Sequence, residues 1–139
     1  MQFPEGFVEK YEEILGDEAR DFLASFEEEA VSAFRVNPLK EAPVSFSNPI
    51  PQTPWGYYGK VSGKSPEHAT GLVYSQEPAA QMVAQVAKPS PGMKVLDLAA
   101  APGGKSTQLA AYLAGEGLLV SNEISSKRAK ILVENMERF

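Results

Sequence analysis

The chain has 139 residues, 43% of them hydrophobic, and a net charge of −5, which bounds it to one domain with a real core or to two small lobes. With no cysteine and a single histidine, His68, it excludes a disulfide scaffold and cysteine-based metal sites and argues against zinc chemistry. No apolar run approaches a membrane span, and the amino terminus lacks a basic-then-apolar signal pattern, so the expectation is a cytoplasmic protein with no membrane and no metal partner.

Charge is unevenly placed. Residues 1–30 hold ten acids and two bases, whereas residues 31–139 hold eleven bases against eight acids, a net of +3. Lys60, Lys64, Lys88 and Lys94 lie in this second part, a weak electrostatic footprint for nucleic acid that ordinary solvated surface explains about as well.

In chain order, Phe7, Val8, Tyr11, Ile14 and Leu15 share one helical face and Gly16 follows as a stop; Asp17 is placed to cap a second helix carrying Phe22, Leu23 and Phe26. The run Glu27-Glu28-Glu29 reads as a solvated face, because a hard-cation site needs several converging oxygens. Val31 to Val36 suits a strand ended by Asn37-Pro38. Within it Arg35 is read first as the partner of a carboxylate, with an RNA contact through Arg35 or Lys40 as the second reading. Pro43 to Tyr58 is a loop-dominated connector whose Trp55, Tyr57 and Tyr58 are expected to anchor it by burial rather than to stack on bases. His68 has no nucleophile or orienting acid beside it in sequence and reads as a turn or packing residue. Ser75 is placed to cap a helix with an apolar stripe of Ala79, Met82, Val83 and Val86, and Gln76 and Glu77 either face a ligand cleft or form its polar first turn.

The most informative stretch is Val95 to Ser106, V-L-D-L-A-A-A-P-G-G-K-S. A short apolar strand bearing Asp97 runs into a small-residue loop that opens a helix, an arrangement that presents backbone amides to nucleotide-like cofactors. Ala99, Ala100 and Ala101 leave the backbone accessible, Pro102 fixes one turn dihedral, and the helix is predicted to begin at Gly103 or Gly104. Leu109 and Leu113 give that helix an apolar face, with Gly115 as its stop. Leu118-Leu119-Val120 form the next strand, Glu123 lies just past its end where a ribose-binding acid belongs, and a last helix follows with Ser125 or Ser126 as cap and Ala129, Leu132, Val133 and Met136 in its stripe. Spacing alone leaves two ligand classes open: with alanine allowed at the first position, Ala99 to Ser106 also satisfies a phosphate loop in which Lys105 and Ser106 serve ATP and magnesium.

Leu96 to Thr107 resembles the cofactor loop of the RNA 5-methylcytosine methyltransferases, the Nol/Nop/Sun family, and most of all its bacterial RsmF-type ribosomal RNA branch. Phe34-Arg35-Val36-Asn37-Pro38-Leu39-Lys40, Gly71 to Pro78 and Asn122-Glu123-Ile124 are similar to segments of the same branch in the same order, so the resemblance covers essentially the whole chain. It implies an α/β fold: an incomplete Rossmann-like class I methyltransferase domain over residues 71–139, preceded by a small mixed helical and strand lobe over residues 1–70 that is RNA-associated. It implies S-adenosylmethionine as cofactor, held by Ala99, Ala100, Ala101, Pro102, Gly103, Gly104 and Lys105, with Glu123 on the ribose hydroxyls, and RNA, of ribosomal class, as substrate.

Family members use two cysteines, one attacking carbon 6 of cytosine and one assisting product release; this chain has none, so no residue here is assigned a catalytic role and the chain alone is expected to be inactive. The resemblance places those cysteines beyond the point matching Phe139, and the chain is accordingly read as the amino-terminal piece of a longer protein. Two parallel strands are too few for a covered open sheet, so self-association through the exposed sheet is expected. The other readings are a phosphate-loop nucleotide-binding protein and an inactive RNA-binding or scaffold fragment.

Overall fold

The computed structural model describes residues 3–139, which form two compact units, residues 3–30 and 31–139. The boundary expected near residue 70 falls inside the second unit, just ahead of a strand that belongs to its first sheet.

The first unit contains α1 (Phe7–Leu15) and α2 (Ala19–Ala24), joined by a tight turn over Gly16–Glu18. Asp17 lies in that turn, and Glu18 takes the cap position without a side-chain hydrogen bond. The apolar faces meet as an aromatic stack. Phe7 lies 4.6 Å from Tyr11, Tyr11 4.7 Å from Phe22, and Phe26 crosses Phe7 and Phe22 edge-on. Such offset and T-shaped pairs suit ring quadrupoles.

In the second unit, β1 (Ala33–Val36) is the middle strand of an antiparallel sheet between β2 (Gly56–Tyr58) and β3 (Val73–Ser75). Because side chains alternate across a strand, Phe34 faces Leu72, Val73, Phe46 and Tyr57 as one core, while Arg35 and Asn37 face the other way. The 43–58 connector is held by this core: Tyr57 stacks on Phe34 at 5.7 Å, and Trp55 lies 5.1 Å from Tyr112. His68 sits in the short α3 (Pro66–Ala69), with its pKa held below the ordinary imidazole value by burial and then by Arg138.

Helix α4 (Pro78–Ala87) begins two residues later than Ser75 would place it, because Glu77 is the cap: its carboxylate accepts the amides of Ala79 and Ala80 at 3.1 and 2.7 Å. Its expected apolar stripe is also corrected. The helix buries Gln81 and Ala84, and Val83 and Val86 stay exposed, Val86 by 79%. Inside, the Gln81 side-chain amide donates to the backbone carbonyls of Gln76 at 2.9 Å and Phe34 at 3.4 Å.

Strand β4 (Lys94–Asp97), helix α5 (Gly104–Leu113) and strand β5 (Leu118–Ser121) form a parallel crossover unit in which Asp97 pairs with Ser121. Helix α6 (Ser126–Arg138), capped by the Ser125 hydroxyl, lays Leu132 and Met136 against Ala100 and Ala101. The partial Rossmann-like α/β architecture is thus present, with Leu96, Leu98, Leu118 and Val120 left exposed around the two-stranded sheet.

The carboxyl end of α6 is seated on the segment before β3. Lys40 donates to the carbonyls of Arg138 and Thr70, Asn37 donates to Phe139 O at 2.8 Å, and Arg138 donates to His68 O. Cations there complement the helix dipole. Gly71, at φ +70°, lies against the Arg138 carbonyl so closely that a Cβ would collide with it. Gly71→Ala is therefore expected to destabilise the chain by about 3 kcal/mol, from left-handed backbone strain plus displacement of α6, read as a lowered urea midpoint.

Candidate cofactor site

The loop after β4 owes its shape to contacts made by the strands on either side of it. Asp97 turns its carboxylate into the loop, accepting Ala99 N at 3.3 Å and the Ser106 hydroxyl at 2.8 Å. Ser106 has no exposure and also bonds Ser121 Oγ at 2.9 Å, so both strand ends and the first turn of α5 share one polar knot. From beyond β5, Asn122 O accepts Ala100 N at 2.9 Å and Asn122 Nδ2 donates to Leu98 O at 2.9 Å. Small side chains matter here because Ala100 and Ala101 are 4% and 6% exposed and pack beneath α6.

Helix α5 starts at Gly104. Its cap residue Gly103 adopts φ +115°, a conformation that disfavours any side chain, and no side chain caps the helix. The first amides of the helix are consequently left for a ligand or solvent.

Ala99, Ala100, Ala101, Pro102, Gly104 and Lys105 line one cavity of about 230 Å³, opposite Tyr74, Ser75, Gln76, Glu77 and Ala80. Gln76 and Glu77 thus do face the cleft, and Glu77 caps α4 at the same time. Two residues of the expected set stand elsewhere. Gly103 backs onto Leu132 and Asn135 of α6, and Glu123 lines a separate groove along α6 with Ser126, Ala129 and Val133. The Glu123 carboxylate is held inward, accepting Ser125 N at 2.9 Å and pairing with Arg128 at 3.4 Å, with its side chain only 4% exposed.

Arg35 corrects both readings given to it. It is fully buried and so touches no RNA, and its partners are not carboxylates but Gln76 Oε1 at 3.2 Å, Thr107 Oγ1 at 2.7 Å and Gly104 O at 3.3 Å. The guanidinium carbon lies 5.1 Å from the Phe139 ring centre and 5.9 Å from that of Tyr74, within cation–π range. Burial lowers its pKa to about 10, which still leaves it charged at neutral pH. Nothing in the sequence around Arg35 marks this role, since its partners lie 41 to 72 residues away.

Comparison with known proteins decides the family. Residues 3–78 match the N-terminal domain of 16S rRNA methyltransferase RsmF, and residues 84–139 match 16S rRNA methyltransferase RsmB/F. The chain belongs to the RsmB/F methyltransferase family. It is 36% identical to ribosomal RNA small subunit methyltransferase F of Vibrio campbellii, over 99% of this chain and 33% of that protein. It is 32% identical to the tRNA (cytosine(49)-C(5))-methyltransferase of Pyrococcus abyssi, over 94% of this chain and 46% of that protein. The chain spans about a third of the length of the ribosomal RNA methyltransferases it matches. Among solved structures, a methyltransferase homolog from Pyrococcus horikoshii superposes with a TM-score of 0.78 at 27% identity, covering 98% of this chain and 49% of that one. NSun6 from Pyrococcus horikoshii, solved with SFG, shares the fold with a TM-score of 0.83 at 16% identity, over 98% of this chain and 62% of its own.

The RsmB/F loop in this chain depends on Ser106 as a structural hydroxyl. Ser106→Ala removes the bond to Asp97 and leaves a half-buried carboxylate short of a donor, so calorimetry is expected to show a loss of about 1–3 kcal/mol of unfolding free energy.

Proposed function

We propose that this chain supplies the S-adenosylmethionine-binding part of an RNA cytosine-5 methyltransferase acting on ribosomal RNA in the cytoplasm. The observation that carries the reading is the cavity built from Ala99 to Pro102, Gly104 and Lys105 at an uncapped helix start, because uncapped amides there suit the carboxylate of an amino-acid-like ligand. The cofactor's contribution is an electrophilic methyl group. The chain's contribution is binding and orientation: loop amides and small side chains give close approach, and Lys105, exposed at the helix start, supplies a cation. A lysine is unfavourable beside a helix N-terminus unless an anion joins it. Glu123 is assigned to the ribose hydroxyls, which requires its carboxylate to exchange the Arg128 contact for the ligand.

Residues 71–139 are taken as the first half of the cofactor domain, and residues 1–70 as the RNA-associated lobe. The chain carries no cysteine, so the nucleophile that activates cytosine is assigned to sequence outside it, and the chain alone is expected to be inactive. Self-association is assigned to the exposed sheet around Leu96, Leu98 and Val120. Among the described residues no helix is long and apolar enough to cross a membrane.

The position of Ser106 weighs against the phosphate-loop reading. There the hydroxyl following the lysine reaches a magnesium ion, whereas here it is buried and spent on Asp97 and Ser121.

Calorimetry without magnesium is expected to detect S-adenosylmethionine or its demethylated product, S-adenosylhomocysteine. Glu123→Ala and Lys105→Ala should each weaken binding by roughly tenfold, the worth of one charge-assisted hydrogen bond. Binding of ATP only, and only with magnesium, would overturn the proposal, and an unchanged dissociation constant in Lys105→Ala would remove that side chain from the site.

A further inference from the structure

Arg35 approaches the cofactor cavity from behind. Its Nη2 donates to Thr107 Oγ1 at 2.7 Å and to Gly104 O at 3.3 Å, and Thr107 Oγ1 in turn donates to Gly103 O at 2.8 Å. The two carbonyls reached in this way, of Gly103 and Gly104, belong to the peptide planes whose amides are those of Gly104 and Lys105. A peptide unit is planar, so fixing its oxygen on one side fixes its N–H on the other. Gly104 and Lys105 both line the cavity.

The same guanidinium reaches the opposite wall. Arg35 Nε donates to Gln76 Oε1 at 3.2 Å, and Gln76 also lines the cavity. A Cβ built on Gly104 would stand 3.3 Å from both Gln76 Nε2 and Tyr74 Cε1, so the two walls touch at this point and their separation is set there. Arg35 Nη1 is buried without a hydrogen-bond partner among the described residues, and the charge is instead screened by the Tyr74 and Phe139 rings.

A charged group this deep is costly unless its partners hold it well, and a core that needed only bulk at this position would be served by an aliphatic side chain. We propose that Arg35 is a positioning residue: through Thr107 and Gln76 it sets the placement of the Gly104 and Lys105 amides against the facing wall, and thereby the affinity for the anionic end of the cofactor. The inference rests on the S-adenosylmethionine reading above.

The test is the dissociation constant for S-adenosylhomocysteine in the protein as expressed from its own gene, measured by calorimetry alongside the thermal midpoint. Four variants are compared with the parent: Arg35→Lys, which keeps charge and loses the fork; Thr107→Val, which keeps shape and loses the relay hydroxyl; Thr107→Ser, which keeps the hydroxyl; and the Arg35→Lys/Thr107→Val double variant. The expected result is a Kd raised roughly tenfold in Arg35→Lys and in Thr107→Val, a Kd within about twofold of the parent in Thr107→Ser, and a double variant no weaker than the weaker single, since both act through one relay.

Parental Kd in Thr107→Val and in any folded Arg35→Lys, with only the midpoint lowered, would overturn the inference and leave Arg35 a core residue. If Arg35→Lys does not fold, the Thr107 pair decides alone: equal Kd for Val and Ser rejects the relay. A parent that binds ATP with magnesium and no S-adenosylhomocysteine defeats the cofactor reading itself, and this inference with it.

Discussion

A guanidinium with no exposure to water has to be satisfied by the protein around it, and in this chain that requirement ties together elements that are distant in sequence. Arg35 on β1 meets Gln76 after β3, Gly104 and Thr107 on α5, and the rings of Tyr74 and Phe139. Two residues further on, Asn37 donates to the carbonyl of Phe139, the residue that follows α6. Residues of β1 and the one just after it therefore hold the first turn of α5 and the residue that follows α6.

The parallel pair β4 and β5 would not hold that loop by itself. Its two strands leave apolar side chains such as Leu96 and Val120 exposed, and the polar knot of Asp97, Ser106 and Ser121 joins the strand ends to α5 where packing alone is thin. Single hydrogen bonds each contribute modestly, but these share partners, so losing one leaves the others misplaced.

Much of this was legible in the chain. The strand–loop–helix reading of Val95 to Leu113, a helix start at Gly103 or Gly104, the strand over Leu118 to Val120 and a cap at Ser125 or Ser126 all follow from local rules: small residues in a loop, glycine at a cap, apolar periodicity; the structure selects Gly104 and Ser125. The failures share a different cause. The stripe Met82, Val83 and Val86 has helical spacing, yet the face that the fold buries carries Gln81, whose side-chain amide donates to the backbone carbonyls of Gln76 and of the distant Phe34. Ser75 lost the cap to Glu77 because strand pairing with Phe34 extends through it. Neither the carboxylate pairing nor the RNA contact expected of Arg35 holds, because a buried arginine shows itself only through partners that the sequence keeps far away.

The loop's dependence on Asn122 also limits what the twelve residues from Leu96 to Thr107 mean by themselves. Ala100 and Leu98 take their bonds from a residue across the crossover, and Ala101 takes its cover from α6. The motif is therefore not a transplantable unit. Grafted into another scaffold, the same letters would keep their small side chains and lose their curvature; the least portion of this fold that carries the shape intact is strand, helix, strand and the following helix together.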